Sequence, residues 1–261
     1  MPWMFRGLRN GVLTTGYPAR PDPYGEAWRG AVRLRGSGVP APGAARLGCP
    51  TGALSEAPDG LRLDRGRCIL CGRCVEAAPE ALEWQAGAEV AALRRHDLLA
   101  PSPGPEDEDL EAVRADLATR VSALGRSVHL RHVDAGSDGS EEWELAALWN
   151  PVYDAHRLGI YLTASPRHAD VLVVTGAGAR GMVAPLLATY EAMPRPRVVM
   201  ALGTDAISGG LVAPSYALTG GIGAIVPVDV WVPGSPPSPL SILHGLLLAL
   251  GRLPDRRGGR S

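Results

Sequence analysis

Val171-Leu172-Val173-Val174-Thr175-Gly176-Ala177-Gly178-Ala179-Arg180-Gly181 passes from an unbroken apolar run into a glycine-rich bend. Four apolar, mostly β-branched residues that stop at a turn signal read as a strand buried on both faces. Beyond the bend, Met182 to Met193 reads as a helix with Pro185 near its start, and Val198-Val199-Met200-Ala201-Leu202 as a second buried strand. Ala224 to Val230 is predicted as another strand and Pro239 to Leu250 as a closing helix. Strands alternating with helices imply an α/β fold with a parallel sheet, its functional groups gathered at the strand carboxyl ends.

The bend also matches G-x-G-x-x-G, and the second strand ends near Asp205, an acid that could take a ribose hydroxyl. A nucleotide such as NAD is therefore one reading, which would make the chain an NAD-binding enzyme. Two features weigh against it: the acid falls late, and Pro185 disturbs the helix whose N-terminus would hold the phosphate.

Upstream of this region the character of the chain changes. Residues 1–96 are rich in Gly and Pro with little periodicity, as expected of a small domain held by a metal centre, with Phe5 to Gly11 as an extended arm. Residues 97–126 read as a linker, Ala100-Pro101-Ser102-Pro103-Gly104-Pro105, followed by an amphipathic helix marked by Leu110, Val113, Leu117, Val121 and Leu124. The α/β domain then covers 127–252, and 253–261 is a basic tail. A net charge of −1 argues against a nucleic-acid partner. No run approaches the roughly 18 apolar residues of a membrane span, and no secretory signal is visible, so a cytoplasmic protein is expected.

All four cysteines fall in the first segment, as Cys49-Pro50 and Cys68-Ile69-Leu70-Cys71-Gly72-Arg73-Cys74. The two-cluster ferredoxin pattern writes C-x2-C-x2-C-x3-C-P twice, the last Cys of each run serving the other run's cluster. Here the second run keeps its first three Cys and has Ala78 before Pro79. The first run keeps only its Cys-Pro, with Gly38-Val39-Pro40-Ala41-Pro42-Gly43 where its triplet would stand. The surviving four thus complete one 4Fe–4S cluster, and the missing four all belong to the other. A zinc ribbon could also use C-x2-C plus two thiolates, although the close third Cys suits a cubane better. Two disulfides would leave the triplet spacing without a reason.

The order of motifs Ala164-Ser165-Pro166-Arg167-His168-Ala169-Asp170, Val171 to Gly176, Tyr190-Glu191-Ala192-Met193-Pro194, Pro227-Val228-Asp229-Val230-Trp231-Val232-Pro233-Gly234 and Pro236-Pro237 resembles one family. It is the cluster-bearing small subunit shared by complex I (its B subunit), formate hydrogenlyase and energy-converting nickel–iron hydrogenases. The resemblance runs from about Arg126 to Leu250. The first segment, with Arg6-Gly7-Leu8-Arg9-Asn10-Gly11 and the Cys68 triplet, resembles the ferredoxin-type subunit of the same complexes, so two subunits look fused. The resemblance implies a ferredoxin-like domain followed by a flavodoxin-like one. It implies an electron-transfer subunit, itself non-catalytic, of a hydrogenase-related or complex I-related oxidoreductase assembly. Its partners would be a large catalytic subunit and membrane subunits, through which it would sit peripherally on the inner face of the membrane. A structural scaffold that docks the large subunit without passing electrons is the alternative.

The family's small subunit holds its own 4Fe–4S cluster with four Cys, and here the chain departs from the pattern. Members commonly read Asp-Ala-Gly-Ser-Cys-Asn-Gly-Cys-Glu where this chain has Asp134-Ala135-Gly136-Ser137-Asp138-Gly139-Ser140-Glu141-Glu142. Asp138 and Glu141 thus stand at the first two ligand positions, Asp205 near the third and Ser235 at the fourth. Hard oxygens hold an iron–sulfur cubane poorly, so the proximal cluster is expected to be absent. The three carboxylates and Ser235 could instead meet on a hard cation, or have drifted to polar residues of a solvated loop. Without a cation they are expected to splay towards solvent or to pair with Arg167 and Arg180. His129 and His132, like His156 and His168, read as ordinary hydrogen-bonded or surface side chains.

Overall fold

The computed structural model describes residues 3–36, 48–58, 60–101, 107–122, 124–125 and 127–253. The stretch 38–43, linker residues 102–106 and the tail from 254 onward lie outside the described residues.

The chain opens with α1 (Trp3–Asn10), a helix where an extended arm was expected. It contains no β-branched residue, and Gly11, left-handed at φ 66°, stops it by donating its N–H to the Gly7 carbonyl. Strand β1 (Arg29–Leu34) follows, then β2 (Leu54–Ala57) and β3 (Gly60–Asp64), helix α2 (Arg73–Ala77), and strands β4 (Leu82–Ala86) and β5 (Leu99–Ala100). β1 pairs antiparallel with β4, and β3 pairs antiparallel with both β2 and β5. Ala100, read from sequence as linker, thus lies opposite Leu63 in the first half's own sheet. A small core of Val32, Leu54, Leu61, Leu63 and Leu82 has Cys49, Cys68 and Cys74 packed against it.

The second half begins with α3 (Asp107–Ser122), the expected amphipathic helix, whose Leu117 is buried. Then come β6 (Val128–Asp134), α4 (Ser140–Ala147), β7 (Ile160–Leu162), β8 (Val171–Thr175), α5 (Val183–Ala192), β9 (Val198–Leu202), α6 (Gly203–Ser208), β10 (Val230–Val232) and α7 (Pro239–Ala249). The expected strand from Ala224 is confined to β10. Residues 222–224 form a 3-10 turn, and Pro227 has no N–H to give a ladder.

Every pairing in this five-stranded sheet is parallel, in the order β7-β6-β8-β9-β10. Counted from β6, that is the 2-1-3-4-5 order of flavodoxin-like folds. β8 and β9 are buried at every position, and their side chains alternate between two cores. Val171, Val173, Val198 and Met200 meet α7 and Leu117 on one face. Leu172, Val174, Val199 and Ala201 meet Leu186 of α5 and Ile207 of α6 on the other. Because β7 and β8 lie on opposite sides of β6, the chain reverses direction there, and a crevice opens at the carboxyl ends of β6 and β8.

The halves interlock. Tyr17 and Leu93 of the first half are buried in the core beneath α7, Ala92 and Trp231 exchange backbone hydrogen bonds of 2.9 and 2.8 Å, and Ala91 donates its N–H to His244 Nδ1. At the other end of β9, Asp229 accepts from Val199 N at 2.8 Å and from Arg120 at 2.6 Å, fixing α3 to the sheet.

Leu172 is fully buried between close-packed layers, whereas Leu8 on α1 is 76% exposed. Leu172→Ala should lower the unfolding free energy by about 2–5 kcal/mol, and Leu8→Ala by less than about 0.5 kcal/mol, in urea titrations followed by circular dichroism.

Candidate functional site: a four-thiol loop beside a carboxylate-filled crevice

The thiols are brought together by tight turns on the first core. Asp64 caps the 3-10 turn Arg65–Arg67 by accepting the Gly66 N–H at 2.9 Å, and Arg95 holds the same carboxylate at 2.6 Å. Cys68 follows directly. Leu70 is left-handed at φ 56°, uncommon for a side chain of its size, and Gly72 at φ 78° starts α2, which carries Cys74. A Cβ on Gly72 would lie 2.9 Å from the Trp84 ring, so this bend needs glycine for both its conformation and its space. Cys49 sits in its own turn, its sulfur accepting the Ala53 N–H at 3.3 Å with the Thr51 hydroxyl 3.6 Å away.

Burial pushes the Cys68 thiol up to about 11, with Cys74, Cys49 and Cys71 adding to the rise against a hydrogen bond from the Leu70 backbone. Cys74 is raised by burial and then by Cys49 and Cys71. Burial also raises Cys49, but hydrogen bonds from Thr51, Ala53 and Leu54 outweigh it and leave that thiol below its ordinary value. Cys49, Cys68 and Cys74 pack against the same small core, and Cys71 is the exposed member. Among the described residues no three His, Cys, Asp or Glu side chains are grouped closely enough to hold a single metal ion. The donor set, four soft sulfurs with hydrogen-bond donors aimed at one of them, suits a centre that spreads its ligands over several irons.

Next to these turns lies the crevice of the parallel sheet. Asp134 at the end of β6 accepts the N–H groups of Gly136 and Ser137 at 2.7 Å each, and left-handed Gly139 leads into α4. Asp138 is exposed and accepts both the N–H and the hydroxyl of Ser140, which hold its carboxyl below the usual range. Glu141 turns inward and is only 1% exposed, taking a 3.2 Å hydrogen bond from Ser140 Oγ. It fits because residue 203 is glycine: a Cβ there would stand 2.5 Å from Glu141 Oε1. Asp205 on α6 lies in the same way over Gly210, which has no room for a Cβ. Ser235 is half-buried in the turn before Pro236.

The expectation that these carboxylates splay outward or find arginines fails at Glu141. Arg180 donates to the Tyr216 carbonyl, and among the described residues neither Arg167 nor Arg180 forms an ion pair with the three acids. Burial raises Glu141 to about 7, with Asp205 and Asp138 adding to the rise against its backbone and Ser140 hydrogen bonds. Asp205 is raised by burial and then by Asp138. Burial and the neighbouring acids thus shift Glu141 towards its protonated form, and neither arginine offsets the crowding.

The glycine-rich bend packs against protein. A Cβ on Gly176 would lie 2.5 Å from the Gly136 carbonyl carbon, and one on Gly178 would collide with Thr219 Oγ1. Ala177 and Ala179 donate to the Gly136 and Ala135 carbonyls, so the bend is stitched to the β6 loop. Sequence reading missed two polar contacts. Thr175, wholly buried, donates to Glu142 Oε1 and lies 2.9 Å from His132 Nε2, a ring that burial shifts towards its neutral form. Thr204, also wholly buried, donates to the Cys68 carbonyl at 3.0 Å. Neither had a spacing signal, because each joins segments distant in the chain. His129 stacks on Tyr161 and His132 points to the opposite face, as the strand register requires.

Because the folded-state value of Glu141 is raised, its contribution to stability is complete below about pH 4.5 and is lost as pH rises through about 7. Melting temperatures should fall between pH 5 and pH 8 by the equivalent of on the order of 2 kcal/mol, and Glu141→Gln should remove most of that slope.

Comparison with known proteins agrees with this architecture. Residues 139–249 match the NADH ubiquinone oxidoreductase 20 kDa subunit. The chain is 38% identical over 156 residues to formate hydrogenlyase subunit 7 of Escherichia coli, a match spanning 60% of each protein. It is 42% identical over 137 residues to the probable membrane-bound hydrogenase subunit mbhJ of Pyrococcus furiosus, covering 52% of this chain and 82% of that one. Against a subunit of the NADH-quinone oxidoreductase of Desulfovibrio desulfuricans the identity is 45% over 104 residues, covering 40% of this chain and 56% of the relative. The chain belongs to the family of the NADH ubiquinone oxidoreductase 20 kDa subunit.

Proposed function

We propose that this chain is an electron-transfer subunit of a hydrogenase-related or complex I-related assembly, joining a ferredoxin-type segment to a 20 kDa-subunit domain and performing no bond chemistry of its own. Cys49, Cys68, Cys71 and Cys74 would hold one 4Fe–4S cluster, which when bound supplies a one-electron carrier. The observation that carries this reading is that Cys49, Cys68 and Cys74 pack against one small core, with Cys71 between two of them in the chain, and that these four are the only cysteines of the chain. Burial and hydrogen bonding around Cys68 and Cys49 would fix the ligands and tune their basicity. A single zinc is a poorer fit, since the closely spaced third thiolate, Cys74 after Cys68 and Cys71, suits a cubane better.

Asp138, Glu141, Asp205 and Ser235 are then the remnant of a second, proximal site that holds no cluster. Glu141 fills that position with a buried carboxyl, and this favours a second reading, a scaffold through which electrons no longer pass. In either reading the carboxyl-end face would dock a large catalytic subunit, for which the exposed Trp143 and Tyr216 offer apolar contact. No helix among the described residues is long and apolar enough to cross a membrane, so attachment on the cytoplasmic side would come through partner subunits.

Anaerobic reconstitution should load about four irons and four sulfides per chain. About eight irons would restore the proximal site, and one zinc without sulfide would defeat the reading. Cys71→Ser should lower the iron content and expose residues 48–100 to protease well before residues 127–250. In the assembled complex, a reduced-minus-oxidised electron paramagnetic resonance signal that responds to substrate separates the carrier from the scaffold.

A further inference from the structure

The cluster loop does not merely lie near the vacated crevice; it is seated on it at three points. Thr204 Oγ1 donates to the Cys68 carbonyl at 3.0 Å, across 136 residues of sequence. Gly66, two residues before Cys68, lies so close to α6 that a Cβ would stand 2.8 Å from Ile207 Cγ2. Leu70, two residues after it, lines a cleft of about 490 Å³ together with Pro233, Pro236 and Pro237 from the turn that carries Ser235.

Thr204 is the centre of this seat. Its N–H donates to the Gly234 carbonyl at 2.7 Å, and its hydroxyl oxygen accepts the Gly234 N–H at 3.3 Å while giving its own proton to Cys68. One side chain therefore joins the loop of a thiol ligand to both loops that bear vacated positions, Asp205 and Ser235. Being wholly buried, it has no water to substitute for a lost partner.

We infer that Thr204 is a positioning residue for the surviving centre: the crevice that lost its own cluster has become the socket of its neighbour's loop, and the Thr204 hydroxyl sets the orientation and electrostatics of Cys68. The inference rests on the reading that the four cysteines hold a 4Fe–4S cluster. The hydroxyl neutralises the negative end of the Cys68 carbonyl dipole. Without it, the backbone oxygen of a thiol ligand is left uncompensated in a part-buried setting and disfavours an added electron nearby, so the midpoint potential moves down.

The test is an anaerobic redox titration of the full chain, with a soluble chemical reductant, followed by electron paramagnetic resonance. Thr204→Val keeps the shape and removes the hydroxyl; Thr204→Ser keeps the hydroxyl and removes a methyl. Thr204→Val should weaken reduction at least threefold, about 30 mV for a one-electron couple, and change the g values, while Thr204→Ser keeps the wild-type potential. Equal shifts in both variants would mean that packing, not the hydroxyl, is responsible, and would overturn the inference. So would a wild-type potential in Thr204→Val. A wild-type chain that binds no iron–sulfur centre would instead bring down the functional reading and this inference with it.

Discussion

Two adjacent strands with no solvated face, β8 and β9, constrain everything else in the second half. Such strands need cover on both sides, and parallel neighbours can be reached only by crossovers, so helices must alternate with strands and every β-to-α loop must emerge at the same edge. The chain then reverses at β6, and the loops after β6, β8 and β9 are left facing one crevice. Asp138, Glu141 and Asp205, spread over some seventy positions of sequence, are assembled by this geometry alone. In the same way α6, which follows β9 directly, is delivered to the thiol loop.

The parallel sheet was legible because its signals are local. Apolar runs, proline at the start of α7 and the amphipathic spacing of α3 each act within a few residues. The thiol run stands out in the sequence because thiolate chemistry leaves few reasons for C-x2-C-x2-C. The misses have physical reasons of the same kind. α1 lacks an extended-chain signal, yet its glycine and arginine content hid a helix ended by Gly11. Pro227 cut a strand that hydrophobicity alone would have drawn from Ala224. The inward turn of Glu141 was not legible, because it depends on the missing side chain of Gly203, some sixty residues away. The glycine-rich bend illustrates the reverse: its spacing fits a nucleotide fingerprint, but its space is taken by the loop after β6.

The relation between the two halves is closer than the change in composition at residue 96 suggests. The first half buries Tyr17 and Leu93 in the core of the second, and the second supplies Thr204 to the thiol loop. A centre bound at the cysteines would thus be felt by α6 and by the turn at Gly234, because hydrogen bonds inside a close-packed interior leave little slack. The glycines of these loops fit this arrangement. Gly203 and Gly210 leave room for the carboxyls of Glu141 and Asp205, and Gly66 lets the thiol-bearing segment approach Ile207.

The Ala92–Trp231 bridge has a meaning beyond joining the halves. A parallel sheet ends in two open edges, each a row of unmet donors and acceptors that invites a strand from another molecule. At the β10 edge, Trp231 gives both of its backbone groups to Ala92, and the chain's own first half occupies the place a foreign strand would take. At the opposite edge β7 is only three residues long. The same segment that carries the thiols therefore guards the sheet against edge-to-edge aggregation. Severing it from the second half would leave a soluble-looking domain with an adhesive flank.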